Sequence, residues 1–176
     1  YGGRYLDWLE NKKRNPYNSC GNGSAMRVSA VGWYAKTLEE CENLAKLSAE
    51  ITHNHPDGIA GAVATAGAIF LARNGKDKEE IKKYIEEYYK VDFTLNEIRP
   101  AYEFWEINSK TVPQAFRCFY EAEGFEDTIR NAISIGGDSD TIAAIAGSIA
   151  EAFYGIPEDI KETALSYLDE RLLDIT

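Results

Sequence analysis

The sequence predicts an all-α protein folded as one domain. Apolar residues recur at helical spacing along most of its 176 residues, capping patterns separate the successive segments, and no stretch alternates convincingly like a strand. A hydrophobic content of 44% with 12% aromatic residues is enough for a core, and the length suits one domain. We therefore expect eight or nine helices in a single domain over residues 1–176.

The charge and the cysteines limit the classes of function. The net charge of −10 argues against general nucleic-acid binding, which needs a basic face, but it allows one anionic ligand held by local donors and metal ions. The apolar runs are too short to span a membrane, and no signal peptide is apparent. Cys20, Cys41 and Cys118 are widely spaced, which indicates reduced thiols and a cytoplasmic location.

The first elements are a helix end over residues 1–10 and a glycine-rich turn over residues 21–27, which reads Gly-Asn-Gly-Ser-Ala-Met-Arg. Such a turn before a helix exposes backbone N–H groups that can hold phosphate or sugar oxygens, although similar turns are common without a ligand. We expect Met26 to pack rather than bind, and Arg27 to pair with a phosphate or with a core carboxylate.

Both histidines, His53 and His55, lie in a turn that follows a helix opened by a capping box at Thr37. A zinc site is unattractive because the turn has no cysteine partner and no H-x₃-H spacing. Two interpretations stay open: one histidine contacts a ligand, or both make structural hydrogen bonds.

Small residues dominate the helix predicted over residues 58–74, which we expect to be central and buried because small side chains allow close helix packing. The aromatic residues 102–106 could form a short strand, a loop over the core or a stacking platform for a base, and cover over the core is favoured over base stacking. Ile129, Ala132 and Ile133 should face inward on an amphipathic helix. The other helices expected are 77–88, 94–100, 111–124 with a proline in its first turn, 125–134, 142–154 and 156–172.

Two acids and a hydroxyl occur within four residues at Asp138, Asp140 and Thr141, after a glycine pair and before a helix. Oxygen donors gathered in the first turn of a helix suit Mg²⁺, Mn²⁺ or Ca²⁺ better than zinc. Helix capping is the alternative, and it accounts for one of the acids but not for both.

Taken together and in order, these motifs resemble those of the ADP-ribosylglycohydrolase family. Residues 136–141, Gly-Gly-Asp-Ser-Asp-Thr, look like the C-terminal metal motif of that family, and residues 21–27 look like its substrate-cradling turn. Residues 111–115, Thr-Val-Pro-Gln-Ala, match a recurrent helix start. The resemblance extends from about residue 16 to residue 157.

The resemblance implies an all-helical fold whose cleft holds two Mg²⁺ or Mn²⁺ ions, and an enzyme that cleaves the glycosidic bond between ADP-ribose and an acceptor. It assigns metal binding to Asp138, Asp140 and Thr141, with both acids catalytic. It places ADP-ribose, or an ADP-ribosylated substrate, against the following residues: Gly21, Asn22, Gly23, Ser24, Met26 and His53 or His55.

One family motif is missing, because no Thr-Asp-Asp-Thr run occurs in the 176 residues. The resemblance therefore implies that an N-terminal segment carrying the other half of the metal site is absent. We expect this chain alone to bind metal weakly or not at all, to turn over poorly, and to self-associate through the surface left uncovered. The alternative function is an ADP-ribose-binding module without catalysis.

Overall fold

The computed structural model describes residues 3–11 and 14–174 and confirms the all-α prediction. These residues form helices joined by turns, and their one β-type contact is an isolated antiparallel bridge between Gly21 and Ile107. The predicted helix over residues 1–10 can be compared from residue 3 onwards, because residues 1 and 2 lie outside the described part. The helices are α1 Gly3–Glu10, α2 Gly23–Met26, α3 Ser29–Tyr34, α4 Leu38–Glu50, α5 Pro56–Arg73, α6 Lys78–Glu86, α7 Leu95–Ile98, α8 Asn108–Glu121, α9 Phe125–Ser134, α10 Ser139–Tyr154, α11 Glu158–Leu165 and α12 Glu170–Leu173.

Helix α5 is the centre of the fold, as its small residues predict. It packs against α2, α3, α4, α6, α8 and α10, and residues 61–70 are all buried. Its glycines allow this close approach: a Cβ on Gly61 would overlap the Asn108 side chain, and a Cβ on Gly67 would overlap the Tyr84 hydroxyl. Helix α5 therefore supports the segments that carry the predicted site residues, among them α2 and α10.

We expect Gly67→Ala to destabilise the protein by about 1–3 kcal/mol, although alanine is the better helix former. The added methyl would displace Tyr84, whose hydroxyl donates to Glu42 Oε1 at 3.0 Å and also lies 3.3 Å from the Val63 carbonyl oxygen. Urea unfolding of Gly67→Ala and of a control, Gly124→Ala, tests this. Gly124 has extended backbone and open space around its Cβ position, so a loss of equal size in both variants would contradict the packing explanation.

The core has two parts on either side of α5. The larger contains Phe116 and Phe119 of α8 with the isoleucines of α10, and the smaller lies between α3, α4 and α5. All three cysteines are free, as expected. Burial raises the pKa of Cys41 to about 11 and that of Cys118 to about 12, so both thiols stay protonated at neutral pH.

Helix α8 begins at Asn108, three residues before the predicted start, and the expectation of a proline in its first turn was wrong. Tertiary contacts start the helix early: the Asn108 amide donates to the Cys20 carbonyl at 3.1 Å, and its side chain donates to the Gly21 carbonyl at 2.9 Å. Pro113 lies inside the helix. Pro113 has no N–H to donate to the carbonyl of Ser109, four residues earlier. Ser109 is exposed to solvent, so water can bind that carbonyl.

Three other predictions were wrong in part. Phe104 and Trp105 are 62% and 40% exposed, so the aromatic segment 102–106 covers the core only through the half-buried Tyr102. Ile133 is 56% exposed. The last predicted helix is two helices, α11 and α12, which contain no buried residue. No helix in the described ranges is long and apolar enough to cross a membrane.

Candidate functional site

The acid pair lies where two glycines turn the chain into α10. Gly136 and Gly137 have φ of +72° and +69°, and a Cβ on Gly137 would lie 2.6 Å from Tyr102 Cε1. The positive φ explains both glycines, and the contact with Tyr102 is a second reason for glycine at position 137. Asp138 then occupies the N-cap position of α10, but its side chain makes no capping hydrogen bond. Helix capping therefore does not account for Asp138.

Asp138 is buried, with 8% of its surface exposed, whereas Asp140 is exposed. Burial raises the pKa of Asp138, and the neighbouring Asp140 raises it further, while Asn22 opposes both effects. The interaction with Asp138 and the Thr141 amide lowers the pKa of Asp140. The buried Thr141 lies beside them, with its Oγ1 3.6 Å from Met26 Sδ.

Each of these two carboxylates shifts the pKa of the other, so together they form a concentration of negative charge that a cation would relieve. With the Thr141 hydroxyl they are oxygen donors of the kind that Mg²⁺ and Mn²⁺ prefer, so in chemical type the residues fit one side of a metal site. They do not complete one, because the described part of the chain contains no group of three or more His, Cys, Asp or Glu residues suited to a metal ion.

Asn22 joins the acid pair to the glycine-rich turn. Its Nδ2 donates to Asp138 Oδ2 at 2.6 Å and to Thr111 Oγ1 at 3.2 Å, and its backbone amide donates to the Glu106 carbonyl at 2.8 Å. The side chain is buried, with 7% exposed. Three motifs that are distant in sequence thus meet at one amide group.

A cleft of about 780 Å³ lies against this turn, and Asn22 is part of its lining. Five residues predicted to bind substrate line it, namely Gly21, Asn22, Gly23, Met26 and His53. Asp138 and Asp140 do not line the cleft, and the connection to it runs through Asn22.

Ser24 and His55, also predicted to contact substrate, have structural hydrogen bonds and lie outside the cleft lining. Ser24 is 1% exposed and donates to the Gly58 carbonyl at 2.7 Å. His55 caps α5, because its Nδ1 accepts from the Asp57 amide at 3.1 Å. The structure therefore separates the two histidines, placing one in the cleft wall and the other in a cap.

His53 faces the two glycines of the turn, with its Nε2 3.4 Å and 3.6 Å from the positions where a Cβ of Gly21 and of Gly23 would lie. Burial, aided by the positive charges of Arg27 and Arg4, lowers the pKa of His53 to about 4. The imidazole is therefore neutral at neutral pH.

Arg27 was predicted to pair with a phosphate or with a core carboxylate, but its guanidinium donates to the Thr52 hydroxyl at 3.1 Å and to the Ser48 and Gly23 carbonyls. Arg27 is exposed as a whole residue, and the partial burial of its guanidinium lowers its pKa. The guanidinium is thus fixed in the cleft wall, where its charge faces His53.

Sequence reasoning did not identify the contribution of α1 to the cleft. Arg4 lies over the Tyr17 ring, 5.0 Å from its centroid, and both residues line the cleft together with Trp8. The Tyr17 ring in turn lies 6.2 Å from that of His53. The i, i+4 spacing of Arg4 and Trp8, which puts both on one helix face, is the sequence signal that points to a shared surface.

Comparisons with known proteins identify the family of this chain. The family model described as ADP-ribosylglycohydrolase matches residues 2–175. ADP-ribosylhydrolase ARH3 of Homo sapiens is 26% identical over 90% of this chain and 58% of its own length. An uncharacterized protein of Archaeoglobus fulgidus is 34% identical over 77% of this chain and 50% of its own. ADP-ribosyl-[dinitrogen reductase] glycohydrolase of Rhodospirillum rubrum is 26% identical over 89% of this chain and 54% of its own length.

A solved structure described as an ADP-ribosylglycohydrolase-related protein complex superposes with a TM-score of 0.70 at 24% identity, covering 96% of this chain and 67% of the other, which shows the fold. The chain spans about half the length of the curated relatives it matches. The family model covers nearly every residue. The chain therefore belongs to the ADP-ribosylglycohydrolase family.

Proposed function

We propose that this chain supplies the ADP-ribose-binding cleft and part of the metal site of a hydrolase that cleaves the glycosidic bond between ADP-ribose and an acceptor. The hydrogen bond between Asn22 and Asp138 is the observation that carries the proposal, because Asn22 lines the cleft and its side chain also binds the acid pair. The family membership and the names of the relatives support the same reaction.

In this proposal Gly21 and Gly23 leave room for the ligand, since a side chain at either position would extend toward His53 Nε2. Arg4 and Arg27 bring positive charge to the cleft of an otherwise acidic protein, and this charge favours an anionic ligand. The diphosphate of ADP-ribose is such an anion. The neutral His53 lies against the same space. These residues bind and orient the ligand.

Asp138, Asp140 and Thr141 would hold Mg²⁺ or Mn²⁺ in the proposed site, and Asn22 would orient the Asp138 carboxylate toward it. A bound divalent cation supplies an activated water and stabilises charge that develops at the scissile bond. Because the described residues supply only this acid pair, further donors are waters or groups that the described chain does not provide.

The same shortage of carboxylates favours a second candidate, an ADP-ribose-binding module without turnover. Isothermal titration of the chain with ADP-ribose, with and without Mg²⁺, and release of ADP-ribose from an ADP-ribosylated peptide separate the two. We expect binding that Mg²⁺ strengthens. Binding without release in the presence of Mg²⁺ identifies the module, and absence of any binding contradicts both candidates.

A further inference from the structure

Three side chains in the cleft wall form a hydrogen-bonded series that ends at His53. The Arg27 guanidinium lies 3.1 Å from Thr52 Oγ1, and this oxygen lies 2.7 Å from His53 Nδ1. Thr52 is 3% exposed and His53 is 7% exposed, so neither side chain depends on bulk water for its partners. The order of the series is fixed by what each group can donate.

A guanidinium can only donate, so Thr52 Oγ1 accepts from Arg27. The Thr52 hydroxyl proton is then directed to His53 Nδ1, the nearest acceptor. If Nδ1 carried the proton and donated to Thr52, the buried hydroxyl proton would have no acceptor among the side chains and carbonyls of the described residues. Leaving a buried donor unpaired costs roughly 1–3 kcal/mol. Nδ1 is therefore the acceptor.

The single proton of the neutral ring then sits on Nε2, which is the ring atom directed toward Gly21 and Gly23, and these two glycines line the cleft together with His53. Neither glycine has a side chain that could occupy the space. The positive charges that face the ring are those of Arg27 and Arg4, and both disfavour a second proton on it. The Tyr17 ring lies near the imidazole, with the two ring centroids 6.2 Å apart and the ring planes tilted by 55°.

We propose that Thr52, held by Arg27, fixes His53 as the neutral Nε2–H tautomer, so that the ring donates a hydrogen bond to an oxygen of the ligand in the cleft. Thr52 and Arg27 are positioning residues, since they act through His53. The identity of the ligand, a ribose or phosphate oxygen of ADP-ribose, rests on the function proposed above, whereas the tautomer does not.

The tautomer can be measured directly by ¹⁵N–¹H correlation across the imidazole rings of the labelled full chain, which has only two histidines. His53→Gln assigns the two spin systems. His55 is an internal standard, because its Nδ1 accepts from the Asp57 amide and its ring must also carry the Nε2 proton. We expect an unprotonated, hydrogen-bonded Nδ1 and a protonated Nε2 in His53. A proton on His53 Nδ1 would overturn the proposal.

The role of Thr52 is tested by Thr52→Val, which removes the hydroxyl and keeps the shape. We expect the His53 Nδ1 resonance to move toward that of an unbonded nitrogen while His55 is unchanged, and the affinity for ADP-ribose to fall about five- to tenfold. Thr52→Ser should restore both. The matched control is Thr65→Val, since Thr65 is equally buried and its hydroxyl has no partner in the described structure.

An unchanged His53 Nδ1 resonance in Thr52→Val contradicts the proposed role of Thr52. A loss of ADP-ribose affinity in Thr65→Val as large as that in Thr52→Val contradicts it too. If Thr52→Val does not fold, the Thr52→Ser variant and the wild-type tautomer still decide the question. If the wild-type chain shows the Nε2–H tautomer but binds no ADP-ribose, the proposed function fails and the proposed tautomer of His53 stands. If the chain binds ADP-ribose while His53 Nδ1 is protonated, the proposed tautomer is wrong and the proposed function stands.

Discussion

In a hydrolase whose metal site is complete, replacing Asp138 or Asp140 with Asn is expected to lower metal-dependent release of ADP-ribose by about three orders of magnitude and to leave the fold intact. Each change removes one of the two carboxylates available to a cation at the start of α10. The fold should survive because Asp138 makes no capping hydrogen bond. An asparagine oxygen at this position can still accept from Asn22 Nδ2.

The same variants give a readout that does not need turnover, namely the rise in melting temperature caused by Mg²⁺. We expect the rise to disappear in Asp138→Asn and Asp140→Asn and to persist in the control Asp92→Asn, whose carboxylate is exposed and lies outside α10. Circular dichroism checks the fold. Near-normal release or an unchanged Mg²⁺ effect in either acid variant would show that the metal assignment is wrong.

Local patterns predicted the helices well because they depend on residues that are neighbours in sequence. The helix over residues 125–134 has the predicted bounds, since its apolar spacing and its ends are encoded within those residues. Gly75 and Gly155, which directly follow the helices predicted over residues 58–74 and 142–154, each have φ of +75°. The small residues of α5 predicted its central place, because close packing is their common consequence.

The misplaced start of α8 had a non-local cause that local patterns do not contain. That helix starts at Asn108 because of the Cys20 and Gly21 carbonyls, more than eighty residues earlier in the chain. A capping pattern read from residues 108–113 alone cannot show such partners.

The candidate site was predicted as a set of motifs, but its connections were not. The sequence places Asn22 in the turn and Asp138 in the acid pair without indicating that their side chains, 116 positions apart, form a hydrogen bond. It also left the two histidines equivalent. Only their surroundings distinguish them, since His55 meets a backbone amide within its own turn and His53 meets the cleft.

The Asn22 contact itself gives the second large effect, in the variant Asn22→Asp. This change replaces a donor, 2.6 Å from Asp138 Oδ2, with a third carboxylate of the same shape. Without metal we expect a loss of about 2–3 kcal/mol in the free energy of unfolding at neutral pH, from the lost hydrogen bond and the repulsion between buried like charges. With Mg²⁺ we expect part of that loss to be regained, because three carboxylates attract a divalent cation more strongly than two.

Urea unfolding of wild type, Asn22→Asp and a control, Asn43→Asp, with and without Mg²⁺, measures both parts of this expectation. Asn43 is exposed on α4, so the control adds the same charge where water solvates it and should change little. A variant as stable as wild type without metal would contradict the buried Asn22–Asp138 contact. Added negative charge at a true metal site must increase the stabilisation that the metal provides. If Asn22→Asp is destabilised and Mg²⁺ stabilises it no more than it stabilises Asn43→Asp, the acid pair does not bind the ion.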